Sequence, residues 1–143
     1  SVLDGYAGTG ALGLEALSRG ASHVTFVEKD RRAAALIEEN AQVCGLKGGY
    51  TIANGDFLAS HARLAGSFDL ILLDPPYDIG DVRSVLDRAA GLLSSDGLLV
   101  LERATRVEPD VPSTLARVRD VRSGDSTLTM YIKAGASHEV THS

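Results

Sequence analysis

Asp74-Pro75-Pro76-Tyr77 places a carboxylate ahead of two residues that have no backbone N–H. A proline cannot donate a hydrogen bond from its main chain. The Asp74 carboxylate and the Pro75 carbonyl therefore make an array of acceptors without donors. A group with two N–H donors, an aromatic or amide NH₂, matches that array, and the Tyr77 ring can stack on a planar base. An exocyclic amine is a poor nucleophile because its lone pair is delocalised into the ring. Accepting both of its N–H bonds favours a pyramidal nitrogen and aims its lone pair at an electrophile. Positioning and electrostatics would then supply most of the acceleration. Asp74 need not be a strong base, because the proton can leave after group transfer. The plain alternative is a proline-rich turn.

Gly8-Thr9-Gly10-Ala11-Leu12-Gly13 has the G-x-G-x-x-G spacing, and Glu28 stands where such a loop has its ribose-binding acid. Glycines let the backbone approach a ligand closely. Alone, this loop fits NAD as well as S-adenosylmethionine. Asp4 tilts the reading: a carboxylate there would repel a pyrophosphate but could hold the cationic amino group of a methionine moiety. In Asn54-Gly55-Asp56-Phe57 the acid can accept from an adenine amino group while Phe57 meets the ring; Asp56 could equally cap a helix. The candidate cofactor-binding residues are Asp4, Tyr6, Gly8, Gly10, Glu28, Lys29, Asp56 and Phe57. The candidate catalytic residues are Asp74, Pro75, Pro76 and Tyr77. An oxidoreductase would need a proton-transfer pair such as a tyrosine with a nearby lysine, and no convincing one is found.

These residues need strands that end at a common rim. Val2-Leu3-Asp4 reads as a strand end, Ala11 to Arg19 as a helix closed by Gly20, and His23 to Glu28 as a strand. Asp30 can cap a helix running to Cys44, with Ala33, Leu36, Ile37, Ala41 and Cys44 as its apolar stripe. Tyr50 to Ala53 is a strand, Phe57 to Leu64 a short helix, and Phe68 to Asp74 an apolar strand covered on both faces. Asp81 to Leu93 is helical, Ser95-Asp96-Gly97 turns, and Leu98 to Glu102 is a strand. Leu115 to Arg122 and Thr127 to Lys133 form a hairpin around Ser123-Gly124-Asp125. Strands alternating with helices predict an α/β fold with a mostly parallel sheet and a C-terminal antiparallel hairpin. Ligands of such sheets bind beyond the strand C-termini. Asp4, Glu28, Asp56, Asp74 and Glu102 should then face that rim.

The chain of 143 residues, 44% hydrophobic and 23% charged, suits one domain over 1–134 with a polar, frayed tail over 135–143. A net charge of −5 argues against gripping nucleic acid over the whole surface. It permits a local patch, for which Arg103, Arg106, Arg117, Arg119 and Arg122 are candidates, scattered solvated charge being the alternative. No apolar run is long enough to span a bilayer. Cys44 is the only cysteine and, with the four histidines, forms no metal-binding spacing, so no metal and a cytoplasmic location are expected. Cys44 itself reads as a small apolar residue late in a helix. Starting on a strand end suggests that a segment precedes Ser1.

The stretches Asp4 to Ala21, Val27-Glu28-Lys29-Asp30 and Phe68 to Tyr77 resemble the RsmD family, bacterial guanine-N2 methyltransferases of 16S ribosomal RNA. The resemblance runs to about Lys133. It implies a Rossmann-like class I methyltransferase with seven strands in the order 3-2-1-4-5-7-6 and S-adenosylmethionine as cofactor. It also implies 16S rRNA in a small-subunit ribosomal particle as partner, and a monomer. The family has an N-terminal segment that helps hold RNA. The Asp-Pro-Pro-Tyr element alone is shared with adenine-N6 and glutamine-N5 enzymes, often with Asn first. An adenine-N6 methyltransferase on DNA or RNA, an NAD-dependent oxidoreductase and a non-catalytic RNA-binding module are the rival readings.

Overall fold

The computed structural model describes residues 1–59, 64, 66–76 and 80–135. Two compact units divide the chain, Ser1–Ala65 and Gly66–Ser143.

The first unit alternates β1 (Val2–Asp4), α1 (Ala11–Ser18), β2 (Val24–Glu28), α2 (Arg31–Val43) and β3 (Tyr50–Asn54). The three strands are parallel in the order β3-β2-β1, with Asp4 opposite Phe26 and Glu28 opposite Asn54. Each helix is bounded by local chemistry. Gly10 at φ 90° starts α1, and Gly20 at φ 105° follows its C-terminus. The Asp30 side chain accepts from the Arg32 and Ala33 N–H groups to open α2. The last glycine of the G-x-G-x-x-G run has a packing role: a Cβ on Gly13 would lie 2.3 Å from Phe26 Cε1 and 3.0 Å from Val24 Cγ1. Helix α1 thus lies tight on β2. Gly13→Ala is expected to destabilise the protein by about 1–3 kcal/mol through overpacking. Gly91→Ala in a later helix, where a Cβ meets nothing within 4 Å, should be neutral or slightly stabilising. Denaturant midpoints of the two variants check the contrast, and equal midpoints would refute the tight contact.

The second unit holds β4 (Phe68–Leu73), α3 (Val82–Leu92), β5 (Leu93–Ala104), β6 (Leu115–Ser123) and β7 (Ser126–Lys133). Strands β4 and β5 are parallel, whereas β7 runs antiparallel to both β5 and β6. Gly124 supplies a φ of 60° at the tip of the β6–β7 hairpin. The strands number seven, in the order β3-β2-β1 within the first unit and β4-β5-β7-β6 within the second, each as the RsmD resemblance implied.

Three sequence readings need correction. The buried stripe of α2 is Ala34, Ile37 and Ala41, while Leu36 is 41% exposed and Cys44 is exposed at the C-cap. A helix on one face of a sheet buries a narrow arc, and the apolar run of α2 is wider than that arc. Ser95-Asp96-Gly97 is not a turn between elements but lies inside β5: between the pairs Phe68–Leu93 and Leu70–Leu98 the register shifts, with the four residues Ser94 to Gly97 opposite the single Asp69. Residues 57–59 form a turn rather than the start of a helix; 60–63 and 65 lie outside the described residues, as do the tail over 136–143 and Tyr77. Among the described residues no helix is long and apolar enough to cross a membrane.

Candidate functional site

In the first unit the strand ends and the glycine loop make a cradle. Asp4 closes β1 and is 3% exposed. The loop after it is pinned by main-chain bonds: Ala7 N–H donates to Val27 O at 3.0 Å, and Gly10 N–H to Ala7 O at 2.9 Å. Gly8 takes a φ of 59°, and a Cβ there would meet nothing within 4 Å. This glycine is needed for its backbone angle and leaves open space beside the loop.

Glu28 clasps this loop. Gly8 N–H donates to its Oε1 at 2.7 Å and Asp30 N–H to its Oε2 at 2.9 Å. A carboxylate has about four acceptor sites, so the clasp leaves capacity for vicinal hydroxyls. Two asparagines complete the frame. Asn40 Nδ2 donates to Thr9 O at 3.0 Å, and Asn54 Nδ2 donates to Glu28 O at 2.9 Å and Lys29 O at 3.3 Å. Sequence reasoning missed both roles. The polar interruption of the α2 stripe at Asn40 was the available signal. Lys29 itself has an exposed side chain.

The cradle's third side carries Asp56 and Phe57. Asp56 Oδ1 accepts from Leu58 N–H at 3.2 Å, so the capping role applies here to a turn. Phe57 is 1% exposed, and its ring lies 5.6 Å from that of Tyr6 at 48°. The Tyr6 hydroxyl is shut off from solvent and has no hydrogen-bond partner among the described residues. Burial, then the Asp56 charge, pushes this phenol well above the ordinary tyrosine range. A buried neutral O–H without a partner costs stability unless something supplies an acceptor.

In the second unit, Asp74 directly follows β4. The residue is exposed, and partial desolvation of its carboxyl holds it above the usual carboxylate range. Pro75 is buried and Pro76 exposed. Glu102 stands beside Asp74: each is one residue beyond the paired Leu73 and Leu101. Burial and the Asp74 charge raise the Glu102 carboxyl as well. Within the first unit Asp4 and Glu28 end parallel strands and Asp56 follows a third, so the three share one rim; Asp74 and Glu102 share one in the second.

The arginine cluster divides. Arg103, its side chain 9% exposed, is structural: it donates through Nε to Thr129 Oγ1 at 2.9 Å and through Nη1 to Val107 O at 2.9 Å. Arg117 pairs with Glu108 and Asp120. Arg106, Arg119 and Arg122 are exposed, with no ion pair among the described residues. Glu15 pairs with Arg19 at 2.8 Å. No group of three or more potential metal ligands gathers among the described residues.

A family model described as "Conserved hypothetical protein 95" matches residues 1–132. The Bacillus subtilis protein YlbH is 32% identical over 139 residues, covering 93% of this chain and 76% of YlbH. This chain belongs to the RsmD family of methyltransferases. The Escherichia coli K12 relative, named Ribosomal RNA small subunit methyltransferase D, is 34% identical over 117 residues, 81% of this chain and 56% of its own length. The chain thus spans little more than half of that RsmD protein. Among solved structures, a conserved hypothetical protein of Streptococcus pyogenes matches with a TM-score of 0.83 and 34% identity, covering 94% of this chain and 86% of that one. The E. coli protein yhhF gives the same TM-score at 26% identity, covering 94% and 76%. The fold is therefore the Rossmann-like α/β fold of methyltransferases, as expected for an RsmD chain.

Proposed function

We propose that this chain transfers a methyl group from S-adenosylmethionine to the exocyclic N2 amine of a guanine in 16S ribosomal RNA, acting in the cytoplasm on a small-subunit particle. The observation that carries the reading is the Asp74-Pro75-Pro76 segment at the end of β4, whose two prolines have no N–H, in a chain of the RsmD family. Relatives named ribosomal RNA small subunit methyltransferases support the substrate class.

The cradle fits the cofactor. Glu28 retains acceptor capacity for the ribose hydroxyls, and Asp4 offers a carboxylate to the methionine amino group. Asp56 and the Phe57 backbone suit the adenine, and Tyr6 has an uncommitted hydroxyl. A buried acid at the end of β1 disfavours a pyrophosphate, and with it NAD. When bound, S-adenosylmethionine supplies an electrophilic methyl carbon on a sulfonium.

The chain's own contribution is positioning. The Asp74 carboxylate and the Pro75 carbonyl accept the two N–H bonds of the target amine, and Tyr77 stacks on the base. Asp74 is exposed but partly desolvated, and a base seated against it would exclude further water and strengthen those bonds. The surplus proton leaves to Asp74 or to water after transfer. Incubating the full-length protein with tritiated cofactor and small-subunit particles, then separating nucleosides, tests the reading. Label in N2-methylguanosine is expected; label in N6-methyladenosine would overturn the substrate assignment.

A further inference from the structure

A cavity of about 90 Å³ in the second unit is bounded by Pro75, Pro76, Val82, Glu102, Arg106 and Pro109, among others. It adjoins the acceptor segment, because Pro75 and Pro76 form part of its wall. The opposite wall is the 104–109 loop, and that loop is held in place. The buried Arg103 guanidinium donates to the carbonyls of Ala104, Thr105 and Val107 at 3.4, 3.3 and 2.9 Å. Its other end is tied to Glu108 and Asp120. Arg103 is thus committed to shaping the wall.

Glu102 differs from Arg103. Its carboxylate makes no hydrogen bond among the described residues, although the residue is half-buried and lines the cavity. The strand register sets it beside Asp74, each one residue past the last β4–β5 pair, Leu73 with Leu101. Desolvation raises both carboxyls, and for Glu102 the Asp74 charge adds to it, as expected for carboxylates set side by side. Adjacent donors from a ligand would relieve the repulsion between them.

Guanine presents such donors. Its Watson–Crick edge carries the N2 amine and, next to it, the N1–H. Adenine carries an amine beside N1, but its N1 is an acceptor whose lone pair would face a carboxylate. We propose that Glu102 is a specificity-determining residue that accepts the N1–H of the target guanine while Asp74 and Pro75 take the N2 amine. The assignment rests on the guanine-N2 reading above and adds to it the group that selects guanine.

The test uses RNA substrates carrying either guanine or 2-aminopurine at the position that the wild-type protein methylates. 2-Aminopurine keeps the amine at C2 but has an acceptor at N1. Wild type should favour guanine by about 10–100-fold in kcat/KM, the range of one well-placed polar contact to a base edge. E102A should lose most of that preference by slowing on guanine alone. E102Q, whose amide can accept from N1–H or donate to N1, should treat both bases alike within about threefold. Unchanged cofactor affinity in both variants, by calorimetry, shows that the fold is intact. An unaltered guanine preference in both variants, with guanine still methylated, would overturn the Glu102 assignment and leave the guanine reading standing. Wild-type label in N6-methyladenosine would overturn both.

Discussion

Asp74→Ala is expected to lower methyl transfer by about 10³-fold while leaving cofactor affinity within about twofold, since removing one group from a preorganised electrostatic site costs about 10²–10³ in rate. The proposed role makes Asp74 the stronger acceptor for the target amine, and the adjoining prolines offer no N–H to replace it. Asp74→Asn should lose less, about 10–100-fold, because the amide carbonyl still accepts one N–H. The pH profile carries a second signature. Partial desolvation raises the Asp74 carboxyl above its ordinary range. The protonated form accepts more weakly and presents a competing donor. Activity should therefore fall on the acid side, with a limb displaced to higher pH than a solvated carboxylate would give. Asp74→Asn should remove the Asp74 component of that limb. Single-turnover rates and calorimetry on the same samples separate the outcomes. Full turnover in Asp74→Ala with the cofactor bound would end the assignment.

Glu28→Ala is expected to weaken cofactor binding about 100-fold and to loosen the glycine loop. A hydrogen bond to a charged group contributes about 1.5–3 kcal/mol, and each 1.4 kcal/mol is a factor of about ten. The observed clasp and the proposed ribose contact are separate tasks, and the experiment distinguishes them. Its carboxylate receives Gly8 N–H at 2.7 Å and Asp30 N–H at 2.9 Å, so its loss leaves main-chain donors without an acceptor even in the ligand-free protein. That part appears as a lower unfolding midpoint. The ribose part appears as a change in cofactor affinity beyond that caused by Asn40→Ala, which removes the 3.0 Å bond to Thr9 O but no ribose acceptor. Equal affinity losses in the two variants would mean that Glu28 only braces the loop.

The elements that bound the site were legible because their causes are local. The Asp30 cap reaches two and three residues forward. The left-handed angles at Gly8, Gly10, Gly20 and Gly124 follow from the absence of a Cβ. The missing N–H groups of Pro75 and Pro76 are a property of the residues themselves; alternation of strands and helices pointed to the mostly parallel sheet, while its strand order came from the resemblance to the RsmD family. The misreadings share a cause too. The apolar run of α2 could not show which arc meets the sheet, so Leu36 and Cys44 were assigned inward although both are exposed. A Ser-Asp-Gly triplet has turn chemistry, yet the pairing of β4 with β5 absorbs it as a bulge.

What the amino-acid sequence determined by itself is local: a carboxylate followed by two residues without N–H at Asp74 to Pro76, a glycine loop, and the strand ends that carry them. Tertiary structure decided where the remaining polar residues lie and what they touch. The clasp of Glu28 on Gly8 joins residues 20 apart, and Asn40 reaches Thr9 across 31. Arg103, grouped by sequence with surface charge, is drawn inside to hold the cavity wall, and Glu102 acquires its neighbour Asp74 through strand register. The physical reason is range. Backbone angles, caps and missing donors act within a few residues of their origin, whereas burial and charge pairing depend on where the chain returns.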